Sequence, residues 1–169
     1  HINFMIYNPS DSAGASVLSK VNFGFGALNL GLYLDIGKLI GYDQIEFRKP
    51  GVAFKVRVFS GSDRVPAIAA GFNQQGYGRY QNEKYLEREK GLYLVFSKDF
   101  LTEKMDWNLG INIFDFDRYE VYGFVGVVYE LSEKAFFTAE YDNIRVTPDS
   151  RLNAGFKYHF TPEFSLSIF

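Results

Sequence analysis

Residues 27–36 read "ALNLGLYLDI". Leu28, Leu30, Leu32, Leu34 and Ile36 take every second position, with Asn29, Gly31, Tyr33 and Asp35 between them. A strand points successive side chains to opposite faces, so this spacing predicts a strand with one apolar and one polar face. A strand covering a soluble core hides its apolar face, whereas a strand of a membrane barrel turns that face to lipid. The alternation settles strand over helix. Which face lies inside depends on the rest of the chain.

The same period recurs further along the chain. In "VAFKVRVF", Val52, Phe54, Val56 and Val58 share one face, and Ala53, Lys55, Arg57 and Phe59 the other. In "RLNAGFKYHFTPEFSLSIF", residues 151–169, two alternating runs flank the turn pair Thr161-Pro162. Further strands are expected in "VLSKVNFGF", "AIAAGFN", "LYLVFSKDF", "WNLGINIF", "VYGFVGVVYEL" and "AFFTAEYDN", with "INFMIY" a short extra candidate. No segment keeps a helical period over ten residues; "QNEKYLEREKG" comes nearest but has too few apolar positions to define a face. The chain is therefore expected to be all-β, a single antiparallel domain over residues 1–169.

Composition limits the function classes. The formal net charge is −2, which gives no footprint for nucleic acid. There are 18 Phe, 12 Tyr and 1 Trp, more aromatic side chains than a soluble core of this size needs. Cysteine is absent, which excludes disulfides, thiol catalysis and Cys-ligated metals. His1 is followed by "INFMIYNPSD", with no basic segment or cleavage site, so no leader is expected within the chain. No run of 18 apolar residues occurs, so no transmembrane helix is expected, and a membrane barrel stays open.

Three features favour the membrane. Connections alternate between short ("GFGA", "SGSDRVP", "LTEKMD", "SEK", "TP") and longer ("NPSDSAGAS", "GKLIGYDQIEFRKPG", "QQGYGRYQNEKYLEREKG", "DFDRYE", "IRVTPDS"), as in outer-membrane barrels. The second face carries polar groups at mid-strand, among them Asn29, Asp35, Lys55, Arg57, Asn112, Glu140, Lys157 and His159. Aromatic residues gather near strand ends: Tyr33, Phe59, Phe72, Trp107, Phe114, Tyr119, Tyr129, Tyr141, Tyr158, Phe160 and Phe169. Barrels carry such girdles at both interfaces. The expected fold is a single antiparallel up-and-down transmembrane β-barrel of about 10–12 strands. Asp35, Lys55, Arg57, Glu140 and Lys157 are expected to form a polar network in its lumen, because unpaired buried charges are costly. The last strand is expected to close the barrel and leave no open edge in lipid.

The final strand, with Phe164, Leu166, Ile168 and terminal Phe169, resembles the C-terminal signature by which bacterial outer-membrane proteins are recognised for insertion. Most of the chain is more loosely similar to the serial hairpins of YjbH-like outer-membrane proteins. The segments that carry this likeness are "FGALNLGLYLD", "PAIAAGFNQQGYG", "KGLYLVFSKDF", "NLGINIF", "AEYDN" and "RLNAGFKYHF". Those proteins are large barrels associated with exopolysaccharide production. The resemblance implies bacterial outer-membrane localisation and a structural, assembly or envelope-complex role. It implies membrane lipid, the barrel-insertion machinery and other envelope proteins as partners, and it brings no catalytic residues.

Enzymatic sites find little support in the residues. Only His1 and His159 are available, and no Ser-His-Asp order or acid pair accompanies them, so the chain is not expected to be an enzyme. Asp115, Asp117 and Glu120 lack the glycine and closing glutamate of a calcium loop and suit a solvated loop. "GFNQQGYGRY" follows no strand-to-helix unit and makes no phosphate cradle. No cofactor or metal is expected. Two alternatives remain: a narrow outer-membrane channel for small solutes, and a soluble barrel that carries an apolar ligand.

Overall fold

The alternation of residues 27–36 lies within the longest strand of the chain, thirteen residues from Leu28 to Ile40. A computed structural model describes residues 2–7, 15–40, 44–81, 84–87, 90–113, 120–144, 150–161 and 165–168. Its strands are β1 (Ile2–Tyr7), β2 (Ala15–Phe25), β3 (Leu28–Ile40), β4 (Glu46–Phe47), β5 (Gly51–Phe59), β6 (Ala67–Asn73) and β7 (Tyr77–Gln81). They continue as β8 (Lys84–Glu87), β9 (Gly91–Asp99), β10 (Met105–Ile113), β11 (Tyr122–Ser132), β12 (Ala135–Asp142), β13 (Arg151–His159) and β14 (Ser165–Ile168). No helix occurs among the described residues.

One 12-stranded antiparallel sheet holds all but β7 and β8, in the order β1-β2-β3-β5-β6-β9-β10-β11-β12-β13-β14, with β4 paired to β3. Pro50, which has no amide hydrogen to donate, separates β4 from β5 along the same flank of β3. β7 and β8 form a separate hairpin inserted between β6 and β9. Every neighbour in the order is antiparallel, and the order has an odd number of strands, so β1 and β14 run in the same direction. Cα atoms of these two strands approach within 8 Å. No hydrogen-bonded ladder joins them among the described residues, so the sheet is not closed.

Connections alternate as expected. β2–β3, β5–β6, β9–β10, β11–β12 and β13–β14 are joined at one end, here the short-turn end. The tightest of these turns has Gly26 at φ 60, a conformation glycine enters without a Cβ clash. The longer connections gather at the other end, the long-loop end.

Cross-strand registers assign every strand of the sheet to the same two faces. Lys20↔Tyr33↔Gly51, Asn29↔Lys55↔Gly71↔Tyr93 and Gly110↔Phe124 lie on one face. Val21↔Leu32↔Val52 and Leu109↔Val125↔Tyr141 lie on the other. Burial follows the reverse of a soluble sheet. Tyr33, Asp35, Asn112, Tyr122 and Phe124 are buried on the first face, and Leu30, Leu32, Leu34, Phe54, Leu109, Ile111 and Phe156 are exposed on the second. The first face keeps a small apolar core, Ala69, Val95 and Phe124, with Tyr93 packed against it.

The short extra candidate "INFMIY" is a strand, β1, and pairs with β2 along its whole length. Other expectations change. β3 continues past Ile36 to Ile40, where a bulge against β2 and the ladder with β4 give it partners. The polar stretch after β6 is a hairpin as well as a loop. Tyr33 is no girdle residue: it faces the buried side and is 5% exposed. Phe114, Tyr119, Phe164 and Phe169 lie outside the described residues.

Candidate functional site

The buried face is where charged and aromatic side chains meet. At its long-loop end, β4 runs beside β3 and delivers the next residue, Arg48, to Asp35. The Arg48 amide donates to the Asp35 carbonyl at 3.1 Å, and its Nη1 donates to Asp35 Oδ2 at 3.1 Å. The guanidinium lies over Gly37; a Cβ there would come within 2.8 Å of Arg48 Nε. The Tyr85 hydroxyl, from β8, donates to the same Asp35 oxygen at 2.7 Å. Burial, and then the carboxylate it faces, push the Tyr85 hydroxyl well above the usual tyrosine range.

Aromatic rings complete this cluster. Tyr80 and Tyr85 meet edge to face at 4.9 Å between centroids, and the Arg48 guanidinium lies 5.4 Å from the Tyr80 centroid. The Lys49 amide donates to the Tyr80 hydroxyl at 3.2 Å. Gln75, at the start of the same insertion, is buried against the bare face of Gly51. The β7–β8 hairpin is therefore docked on the buried face of β3.

The insertion touches the opposite flank too. Gly91, at φ 65, turns the chain as it enters β9, and Lys90 leaves the line of that strand. Lys90 Nζ donates to Glu140 Oε2 on β12 at 2.6 Å and lies 4.2 Å from the Phe124 centroid. Asn112 Nδ2 donates to the Lys90 carbonyl at 2.9 Å. β9 and β12 are three neighbours apart in the order. In a flat sheet those three spacings, ~14 Å, and the offset along the strands would hold the two side chains apart. The contact needs a sheet that bends towards itself, so the buried face is concave and the exposed apolar face convex.

Phe124 fits this curvature because Gly110, directly opposite on β10, has no side chain. A Cβ at Gly110 would run into the Phe124 ring. The ring thus lies across β10 towards Val95, and Lys90 passes over it.

The expected polar residues share the concave face but not the expected partners. Asp35 and Glu140 are paired with Arg48 and Lys90, not with Lys55, Arg57 or Lys157. The register gives the reason. Lys55 is level with Asn29, six positions along β3 from Asp35, or ~20 Å. Lys157 is level with Phe136, four positions along β12 from Glu140, or ~14 Å. Arg48 and Lys90 sit in connections, where alternation gives no signal; the charged residues beside Pro50 and Gly91 were the available hint.

His159 is opposite Ser165 across the β13–β14 ladder, and its ring meets Phe136 edge to face at 5.6 Å. Leu166 is exposed on the convex face, and Ile168 belongs to the β14 ladder opposite Phe156. Asp115 and Asp117 lie outside the described residues; Glu120 accepts a hydrogen bond from the Tyr122 hydroxyl. No group of three or more metal-binding side chains occurs among the described residues.

Comparison of the chain with protein-family models, with curated proteins and with solved structures finds no match.

Proposed function

We propose that this chain forms a transmembrane β-barrel of a bacterial outer membrane, with a structural or assembly role in the cell envelope. The observation that carries this reading is the inverted sheet. Leucine, valine, isoleucine and phenylalanine side chains are exposed along the convex face, while Asp35, Asn112 and the Lys90–Glu140 pair lie on the concave one. Soluble proteins rarely expose a continuous apolar surface of this extent, and lipid is the solvent that makes it favourable. Phe25, Phe59, Phe100 and Phe160 are exposed at the short-turn end, where an interfacial girdle would sit.

Closure in this reading is a parallel seam between β1 and β14, which satisfies the two open edges that lipid would otherwise penalise. The docked hairpin obstructs the interior, so the barrel conducts poorly. Outer-membrane lipid and the insertion machinery are its partners, the latter through the strand that ends in Leu166 and Ile168. The similarity to YjbH-like hairpins extends the proposal to a place beside exopolysaccharide machinery.

A narrow channel for small solutes is the second reading. It draws on Lys55 and Arg57, which are solvent-exposed on the concave face away from the hairpin. A carrier for an apolar ligand fits poorly, because it would need the leucines of β3 inside.

The test is folding of the purified chain into phosphatidylcholine vesicles. Heat-modifiable migration on a gel, together with protease-resistant strands, is expected. A chain that is monomeric and folded in buffer without lipid or detergent overturns the membrane reading. Large, stable single-channel currents would favour the channel over the obstructed barrel. Since cysteine is absent, Phe4→Cys combined in turn with Leu166→Cys and Ile168→Cys tests the seam by disulfide formation.

A further inference from the structure

The short-turn end of the sheet sorts its charges by face. Asp63, Asp99 and Asp106 line a polar hollow on the concave side. Arg64 and Lys98 line a groove on the convex side, and no acid shares its wall. The β9–β10 register fixes the two sides. Lys98 is level with Trp107 and Phe96 with Leu109, all four on the convex face, whereas Asp99 is level with Asp106 on the concave one.

The groove is apolar along its floor and cationic at its rim. Its volume is about 430 Å³, within the range of small-ligand sites. Phe96 and Leu109 form the floor; Lys98 and Trp107 follow two residues, ~7 Å, nearer the turns. Leu101, in the β9–β10 turn, has φ 76, a conformation that residues with a Cβ rarely adopt, and its side chain stands 72% exposed at the rim.

The polar groups around it are open to a ligand. Arg64 is exposed and forms no ion pair among the described residues. Lys98 Nζ donates to Asp99 Oδ1 at 2.5 Å and to the Ser62 carbonyl at 3.2 Å, but both contacts are exposed, and an exposed ion pair is weak. The Trp107 indole N–H is buried with no acceptor among the described residues, and such an orphan donor favours an occupant rich in acceptor oxygens.

We infer that this groove binds an anionic glycerophospholipid, with its phosphate between Arg64 and Lys98 and an acyl chain over Phe96 and Leu109. The guanidinium supplies a planar fork for two phosphate oxygens, and the ammonium a point charge. A zwitterionic headgroup would bring an ammonium that finds no carboxylate on the groove wall. A free anion would leave the apolar floor uncovered. The inference rests on the barrel reading, which puts lipid on the convex face and a membrane boundary at the short-turn end; it adds which lipid binds, and where.

Trp107 is the chain's single tryptophan, so contact quenching of its fluorescence by brominated acyl chains reports on this groove. The full chain is folded into phosphatidylcholine vesicles that contain a rising fraction of brominated phosphatidylglycerol or, separately, brominated phosphatidylcholine. Phosphatidylglycerol should reach half-maximal quenching at an about fivefold lower mole fraction, the size expected for contacts to exposed cations. Arg64→Gln with Lys98→Gln should bring the two lipids level. Arg64→Gln alone, which leaves the Lys98–Asp99 pair in place, should remove part of the preference. Lys134→Gln, an exposed cation of the β11–β12 turn at the same end, should keep it. Circular dichroism checks the strand content of each variant.

Equal quenching by the two lipids in the parent chain overturns the site and leaves the barrel standing. A preference that survives the double variant, or falls equally with Lys134→Gln, reports diffuse surface charge and also overturns the site. Heat-modifiable protein that neither lipid quenches has its groove covered by protein, such as a second copy of the chain, and overturns the lipid occupant alone. Protein that neither lipid quenches, and that folds in buffer without lipid or detergent, overturns the barrel reading and the site with it.

Discussion

Leu32→Arg separates lipid from water at the convex face. Leu32 is 54% exposed, at the fifth position of β3, and its cross-strand neighbours are Val21 and Val52. A barrel strand crosses the hydrocarbon in roughly 9–11 residues, so a crossing that starts at the short-turn end puts Leu32 near its middle. An arginine at that depth costs about 2–4 kcal/mol, falling to about 0–1 near the interface. The same change at a water-exposed site is usually within about 0.5 kcal/mol.

Leu152, 75% exposed at the long-loop start of β13, supplies the shallow control. Both variants are unfolded in urea from phosphatidylcholine vesicles, with Trp107, the chain's single tryptophan, as fluorescent reporter. Leu32→Arg should lose at least about 2 kcal/mol, and Leu152→Arg at most about 1. Equal and small losses at both positions would refute a lipid-facing convex surface.

Three further outcomes follow from the concave face. Arg48→Ala leaves Asp35 buried without its cation and should cost about 3–5 kcal/mol in urea unfolding; Asp35→Asn in the same chain should restore part of it. Gly110→Ala forces the Phe124 ring off β10 and should cost about 1–3 kcal/mol, less when combined with Phe124→Leu. Tyr85 is an acid whose folded value is raised, so its contribution is complete below the unfolded tyrosine value of about 10 and is lost as pH rises through the folded one. Ultraviolet titration should show one fewer late-ionising tyrosine in Tyr85→Phe than in the parent chain, and an unchanged number of late-ionising groups would contradict the contact with Asp35.

The reach of the sequence is clearest where a side chain's role depends on neighbours only two residues away. Leu30, Leu32 and Leu34 share a face because strand geometry alone requires it, and the registers keep them together. The same logic put Asp35, Lys55, Arg57, Glu140 and Lys157 on one face. It could not name their partners. Tyr85 meets Asp35, and Lys90 meets Glu140, across 50 residues of chain in each case. Such contacts depend on register and curvature, which no local pattern encodes.

Alternation, short turns and the absence of a helical period determined by themselves that the chain is an antiparallel β-protein with two chemically distinct faces. A period of two follows from backbone geometry and needs no partner strand. Only the tertiary structure decided which face is concave, that β7 and β8 pair as a hairpin set back onto β3, and that Arg48 and Lys90 hold the acids. Curvature arises from the twist of many paired strands and from glycines such as Gly37 and Gly110, whose missing side chains matter only once Arg48 and Phe124 arrive from elsewhere.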